Sequence, residues 1–238
     1  MQPTLEIPQL VDHNQCSILS GLFRGKLCDQ LIGRPGRHFR TGQYVYLIGD
    51  RASSIHFLRS GLVKNSVLSE DGEELILRIN KPGDIFGEFC LCDNQRREQC
   101  YAMEDSEIVE ISFDDLITNL QQNRDSMYSF LINVCQRLST AYDQLRTFSF
   151  DKTLERLGHT LLRLATELGG DNTPEGLEIA HYIKQEELAQ MIAASREVVS
   201  SSLNQLRTLG LINYSRKGRL TVNVIGLKAY LGEPAIEK

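Results

Sequence analysis

The chain has 238 residues, 41% of them hydrophobic and 24% charged, with a formal net charge of −5. Those proportions are ordinary for a globular protein of one large domain or two small ones. They exclude a chain that attracts nucleic acid by bulk charge, and no apolar run reaches the roughly 18 residues a membrane helix needs. The start, MQPTLEIPQLVDHNQC, lacks the basic head and apolar core of an export signal, so a cytoplasmic location is the expectation. In a reducing compartment the six cysteines are free thiols, metal ligands or sensors before they are disulfides.

Residues from about 36 to 112 alternate apolar and polar side chains at period two. QYVYLIGD, SIHFLRSGLVKNSVLSEDGEELILRINKPGDIFGE and EIVEIS are broken at Gly42, Gly49-Asp50, Gly61, Asp71-Gly72 and Pro82-Gly83-Asp84. Short strands between tight turns predict a closed antiparallel roll or barrel. After Phe113 the period changes. Met127, Leu131, Val134, Leu138, Ala141, Leu145 and Phe148 follow one another at spacings of 4-3-4-3-4-3. This heptad stripe predicts a helix with an apolar seam, either packed on its own domain or paired in parallel with a second copy; the pairing is the sharper expectation.

A third section opens near Asp151 with an amphipathic helix, LERLGHTLLRLATEL. GGDNTPEG, from Gly169 to Gly176, reads as a polar connection. In KQEELAQMIAASREVVSSSLNQLRTLGLI, Leu188, Met191 and Ile192 form the apolar face of one short helix. Ala189 and Ala193 are small enough for a second helix to cross closely. Ser195 is an N-cap for that second helix, and Glu197 suits its positive first turn. Val198, Val199, Leu203 and Leu206 are expected inside, with Arg196, Glu197, Ser200, Ser201 and Asn204 outside.

That is the layout of a helix-turn-helix, whose second helix presents polar side chains to the DNA major groove. A solvated helical hairpin shares it. LINYSRKGRLTVN then predicts a β-hairpin with Arg216, Lys217 and Arg219 at its tip, like the phosphate-touching wing of a winged helix. From Lys184 to Arg219 six Lys/Arg stand against three Asp/Glu, so this segment is positive within an acidic chain.

The three sections in this order resemble the cyclic-AMP receptor / fumarate-nitrate regulator (CRP/FNR) family of bacterial transcription factors, from about Leu19 to Leu231. The resemblance implies an α+β chain. Residues 1–113 would be a double-stranded β-roll of cupin-like, jelly-roll form, 114–150 a long dimerisation helix, and 151–238 a winged helix-turn-helix. It implies a homodimer that binds double-stranded DNA, works with RNA polymerase and takes a signal in the roll. Arg196 and Glu197 match the family's Arg-Glu reading pair. Ser201 stands where many members carry a base-contacting arginine, and a serine cannot fork onto guanine.

In the family's cyclic-nucleotide binders a Gly-Glu pair holds the ribose, matched by Gly87 and Glu88 beside Phe89. An arginine eight to ten residues later meets the phosphate, followed by small residues that let backbone N–H groups approach. Two registers compete. Counting back from AMEDSEIVEI puts Arg96 at the phosphate, followed by Arg97 and Glu98; counting forward from Glu88 puts Glu98 itself there. Ala141 and Tyr142 occupy the purine-contacting helix positions. Either register places bulk or an acid where phosphate needs room and positive charge, so cyclic AMP is not the expected signal, and a cyclic-nucleotide-dependent regulator is the second alternative.

Thiols, an iron–sulfur cluster or haem are alternative sensors. Cys16 and Cys28 lie farther apart than cluster ligands usually do. Cys90, Cys92 and Cys100 could complete the number but read as apolar filler before sensors, and His13, His38 and His56 are isolated. No cofactor is assigned. No nucleophile–base pair, H-E-x-x-H or P-loop supports an enzyme, and a dimeric scaffold that has lost DNA reading is opposed by the basic wing.

Overall fold

The computed structural model describes residues 34–92, 94–215 and 218–232; His13, Cys16, Cys28, Arg216 and Lys217 lie outside them. Eight strands build the N-terminal part: β1 (Arg37–Phe39), β2 (Tyr44–Tyr46), β3 (Ser54–Ser60), β4 (Val63–Leu68), β5 (Glu74–Asn80), β6 (Ile85–Phe86), β7 (Gln99–Ala102) and β8 (Ser106–Ser112). They form two antiparallel sheets ordered β1-β8-β3-β6 and β2-β7-β4-β5. The period-two alternation is the reason: along β3, His56 and Leu58 face into the roll, while Ile55 and Phe57 face outward. The inward set packs with Phe39, Tyr46, Phe86 and Ile108, and the outward set with Val109, Ile111 and Leu116.

Leu116 belongs to α1 (Phe113–Gln122), which starts where the Ser112 hydroxyl accepts from the Asp115 N–H at 3.1 Å. The span expected as one helix is broken at Asn123. That residue is extended, and its side-chain oxygen accepts from the Asp125 and Ser126 N–H groups at 3.0 and 3.1 Å, restarting the chain as α2 (Arg124–Phe150). At 27 residues, α2 is about 40 Å long. Met127, Leu131, Val134, Leu138 and Leu145 of the stripe are all at least 40% exposed in the single chain. Phe148 is half-buried with the Arg156 guanidinium 5.8 Å from its ring centre.

The C-terminal part holds α3 (Thr153–Leu168), α4 (Gln185–Ile192), α5 (Arg196–Thr208) and α6 (Val224–Tyr230) around a sheet ordered β11 (Ile212–Tyr214), β12 (Leu220–Val222), β10 (Gly176–Ile179) and β9 (Gly169–Thr173). The segment expected as a polar connection is instead β9 (Gly169–Thr173) and the turn into β10 (Gly176–Ile179). Its polarity misleads because β9 is an edge strand with exposed side chains, held by backbone pairing to β10 rather than by an apolar face. The expected hairpin is β11 (Ile212–Tyr214) and β12 (Leu220–Val222).

Roll and C-terminal part share one apolar cluster, in which Leu62, Ile76 and Ile79 meet the side chains of α3, α4 and α5. Polar contacts cross the same boundary: Lys64 Nζ donates to Gln190 Oε1 at 3.2 Å, Lys81 Nζ to the Glu167 carbonyl at 2.7 Å, and His181 Nδ1 lies 2.8 Å from Glu104 Oε1.

The corner between β3 and β4 rests on Gly61. Its φ is +90°, and a Cβ there would lie 2.4 Å from the Asp105 carbonyl and 2.6 Å from Ser106 Cα. Neither neighbour is a flexible side-chain tip. Gly61→Ala should therefore cost about 2–4 kcal/mol in urea unfolding; a loss below about 0.5 kcal/mol would show that the corner relaxes freely.

Candidate effector cavity and nucleic-acid interface

A cavity of about 280 Å³ lies between the roll, α2 and α3. Its apolar walls include Leu77, Phe86, Phe89 and Ala141; its polar lining includes Asn65, Asn80, Glu88, Glu98 and Arg137. A β-bulge helps to shape it. Asn65 pairs with Arg78 and Ser66 with Ile76, so Leu77 has no direct partner across the ladder. Gly87, at φ 82°, turns the chain into the short 3-10 helix Glu88–Leu91, which brings Glu88 and Phe89 to the opening.

Of the residues expected in the effector pocket, Gly87, Glu88 and Phe89 are at the cavity or its turn. Arg96 is not. It is 5% exposed, stacked 4.3 Å from the Tyr46 ring centre, and it donates to the Gly87 carbonyl at 2.7 Å and the Ser54 carbonyl at 2.9 Å. Its guanidinium props up the Gly87 turn from inside the roll. Arg97 is exposed, and Tyr142 is 64% exposed on α2; neither lines the cavity.

Glu98 occupies the wall instead. It is 6% exposed, and its Oε1 accepts from Asn65 Nδ2 at 2.6 Å and from the Tyr46 hydroxyl at 3.1 Å. Burial raises the Glu98 carboxyl above its ordinary value, while the bonds from Tyr46 and Asn65 and the nearby arginines oppose the shift. Below it His56 is stacked between Tyr46 and Phe86, with ring centres 5.4 and 5.2 Å away. Burial, then Arg96 and Arg37, pull its pKa down to about 3, so the ring is neutral.

The residue missed from the sequence is Arg137. Its heptad neighbours mark it as a solvated position, yet its guanidinium reaches back to the Glu88 carboxylate and the Ile85 carbonyl. Only the third dimension carries that signal. Arg78 and Arg163, the other cations on the lining, lie 3.4 Å from Asp84 and 3.9 Å from Glu167.

Cys90 and Cys100 are buried; Cys92 and Cys135 are exposed. Cys90 Sγ donates to the Gly87 carbonyl, and burial pushes the Cys100 thiol well up, both features of packed thiols rather than reactive ones. Among the described residues no three His, Cys, Asp or Glu side chains gather as a metal site.

At the other end, the Ser195 hydroxyl accepts from the Val198 N–H at 3.4 Å and opens α5. Ser195, Arg196, Glu197, Ser201 and Asn204 are exposed, and Ser200 is half-buried. The Glu197 backbone N–H and the Ser195 hydroxyl hold the Glu197 carboxyl below its ordinary value, leaving it an ionised acceptor. Val198, expected inside, is 44% exposed; the buried stripe is Val199, Ser202, Leu203 and Leu206, an i, i+3, i+4, i+7 set that leaves 198 off the face. Ala193, expected at the helix crossing, is the exposed αL residue ending α4 at φ 49°, while Ala189 is buried. Arg219 Nη1 lies 3.3 Å from Glu178 Oε1 on β10, so this wing cation is paired within the sheet.

Residues 36–123 match the cyclic nucleotide-binding domain and residues 155–230 the Crp-like helix-turn-helix domain. A cAMP-activated global transcriptional regulator of Pasteurella multocida is 31% identical over 182 residues, covering 76% of this chain and 85% of that one. The anaerobic regulatory protein of Bacillus subtilis is 29% identical over 189 residues, 79% of each chain. The crystal structure of a CRP-family transcriptional regulator from Thermus thermophilus is 26% identical with a TM-score of 0.67, covering 84% of this chain and 98% of that one. The chain belongs to the CRP/FNR family of transcription regulators. Among the described residues no helix is long and apolar enough to cross a membrane.

Because the fold disfavours ionised Glu98, the native state holds that proton more tightly than the unfolded chain. Stability is therefore fullest below the ordinary carboxylate value of 4.5 and falls as pH rises from there through the raised value. Glu98→Gln keeps an acceptor oxygen for Tyr46 and Asn65 but cannot ionise. In urea unfolding its stability relative to the parent should climb above pH 4.5, by at most about 1.4 kcal/mol per pH unit, and then level off. A difference that stays flat with pH would contradict the assignment.

Proposed function

We propose that this chain is a homodimeric, sequence-specific DNA-binding regulator, switched by a signal in the roll cavity that is not ordinary cyclic AMP. The observation that carries the effector reading is the exchange of roles between Arg96 and Glu98. The guanidinium that a cyclic phosphate would need is spent on two backbone carbonyls. A buried carboxylate stands in the cavity wall instead. The other cations on the lining face their own acids, Arg137 with Glu88, Arg78 with Asp84 and Arg163 with Glu167. A phosphate entering here must lose its water and also break an ion pair. The Pasteurella relative is named for activation by cyclic AMP; this lining argues against the same signal here.

α5 supplies the reading head. Arg196 forks onto guanine, Glu197 accepts from cytosine, and Ser200, Ser201 and Asn204 complete the polar face, with Ser195 as the cap. Arg219 and Lys217 of the wing meet phosphate; for Arg219 this means exchanging Glu178 for DNA. RNA polymerase is the partner at the promoter, and the setting is the bacterial cytoplasm. The signal passes by shifting the dimer between two arrangements of its heads about α2.

A gel shift on promoter fragments, run with and without cyclic AMP beside calorimetric titration of the nucleotide, tests this. Specific shifts are expected without nucleotide, and Glu197→Ala should relax preference by about 1–3 kcal/mol at one base pair per half-site. A dissociation constant of a few micromolar for cyclic AMP, with DNA binding that requires it, would restore the ordinary cyclic-nucleotide reading.

The dimer is supported by the exposed heptad stripe of α2. Leu138→Asp places an unpaired charge in the paired seam and should cost about 3–5 kcal/mol of association. Sedimentation of the variant should give monomer at micromolar concentration, and an undiminished dimer would move the interface elsewhere.

A further inference from the structure

The polar end of the cavity has a direction. When Glu98 is ionised its oxygens only accept, so Asn65 turns its Nδ2 toward Glu98 Oε1, at 2.6 Å, and toward the Tyr46 oxygen, at 2.7 Å. That leaves Asn65 Oδ1 facing Asn80, which must present its own Nδ2, at 2.5 Å. Asn80 is fully buried, and its remaining oxygen, Oδ1, has no hydrogen-bond partner. A buried acceptor left empty on a cavity wall is costly unless something fills it. Glu98 therefore fixes the orientation of both amides, and the chain ends in an unused acceptor on the lining. Both hydrogen bonds to Glu98 fall on Oε1, so Oε2 offers a second. The rest of the wall is mainly apolar, from Leu77, Phe86, Phe89 and Ala141. One unused donor, Arg137 Nε, suits an ether or carbonyl oxygen on the same occupant.

We propose that the effector is a small, mainly apolar molecule whose hydrogen-bond-donor head group, cationic or neutral, docks on Glu98 and Asn80, and that Glu98 is the residue that turns anionic ligands away. This rests on the reading of the cavity as the effector site. A head group with two N–H donors, such as an amidine, satisfies Asn80 Oδ1 and the Glu98 carboxylate together and places its apolar body against Phe86 and Phe89. A carboxylate or phosphate of the same size brings acceptors to acceptors and adds like charge beside Glu98.

Three matched probes separate these cases: benzamidine, benzyl alcohol and benzoate, each at about 10 mM and about pH 8, read by thermal unfolding of the full chain. Benzamidine should raise the melting temperature by about 3–5 °C if its concentration is about tenfold above its dissociation constant. Benzyl alcohol should act more weakly and benzoate not at all. Glu98→Gln should abolish most of the benzamidine shift; Asn80→Ser, which removes Oδ1, serves if that variant does not fold. A benzoate shift as large as benzamidine's, no shift with any probe, or a benzamidine shift that survives the substitution overturns the proposal. Specific DNA binding by the same unsubstituted preparation is scored separately. Its absence would sink the regulator reading, whereas an absent benzamidine preference sinks only the ligand class.

Discussion

One guanidinium joins the roll to the long helix. Arg137 leaves α2 and meets the Glu88 carboxylate and the Ile85 carbonyl, so the strand β6, the turn at Gly87 and the helix are held in one register. The pair is largely withdrawn from water, with the Arg137 and Glu88 side chains 18% and 15% exposed. Removing either partner would leave a charge facing an apolar wall, which is why a buried pair is stiffer than its net energy suggests. An occupant that reaches this pair acts on α2 directly, with no intermediate needed.

The same cavity touches the DNA-binding part. Arg163 and Glu167 of α3 are on its lining, and Lys81 of the roll donates to the Glu167 carbonyl at 2.7 Å. Roll, α2 and α3 thus converge on one volume, and filling it bears on all three. The C-terminal part docks through α4, whose Gln190 accepts from Lys64, while α5 keeps its polar face free. α3, α4 and α5 pack together through Leu161, Leu188, Val199 and Leu203, in the cluster that Leu62, Ile76 and Ile79 of the roll also join. Differential contact with two arrangements of this junction is what a ligand needs in order to shift between them.

Periodicity made the architecture legible. Alternation along β3 and β8, the heptad run of α2, and the Ser195 cap all state local rules that the fold obeys. Where rules are silent the reading failed. β9 carries no apolar pattern because its edge position asks for none. Val198 lay one step off a face whose phase only the cap geometry fixes. The cavity was half legible. Gly87-Glu88 announced a turn and an acid, but the choice between Arg96 and Glu98 depends on the loop from Gly87 to Glu98, whose 3-10 turn and tight returns no spacing rule counts. Arg137 could not be found at all, since a helix position facing away from the seam looks the same whether it meets water or a carboxylate.

The positions of Arg96 and Glu98 are physically linked, which makes the cavity's polarity a property of the whole loop rather than of one side chain. Gly87, with φ at 82°, leaves room for Arg96 Nη1 only because it lacks a Cβ; an added one would sit 2.6 Å from that nitrogen. The guanidinium therefore fits under the turn and binds its carbonyl. Glu98 follows two residues on, in the bend that leads into β7, and its side chain lines the cavity. With Arg96 committed beneath the turn, the bend that follows brings the carboxylate to the cavity. Restoring a phosphate site would then require more than a charge swap at 98. The turn would have to release its arginine, and the Gly87 and Ser54 carbonyls would need new donors in a buried place.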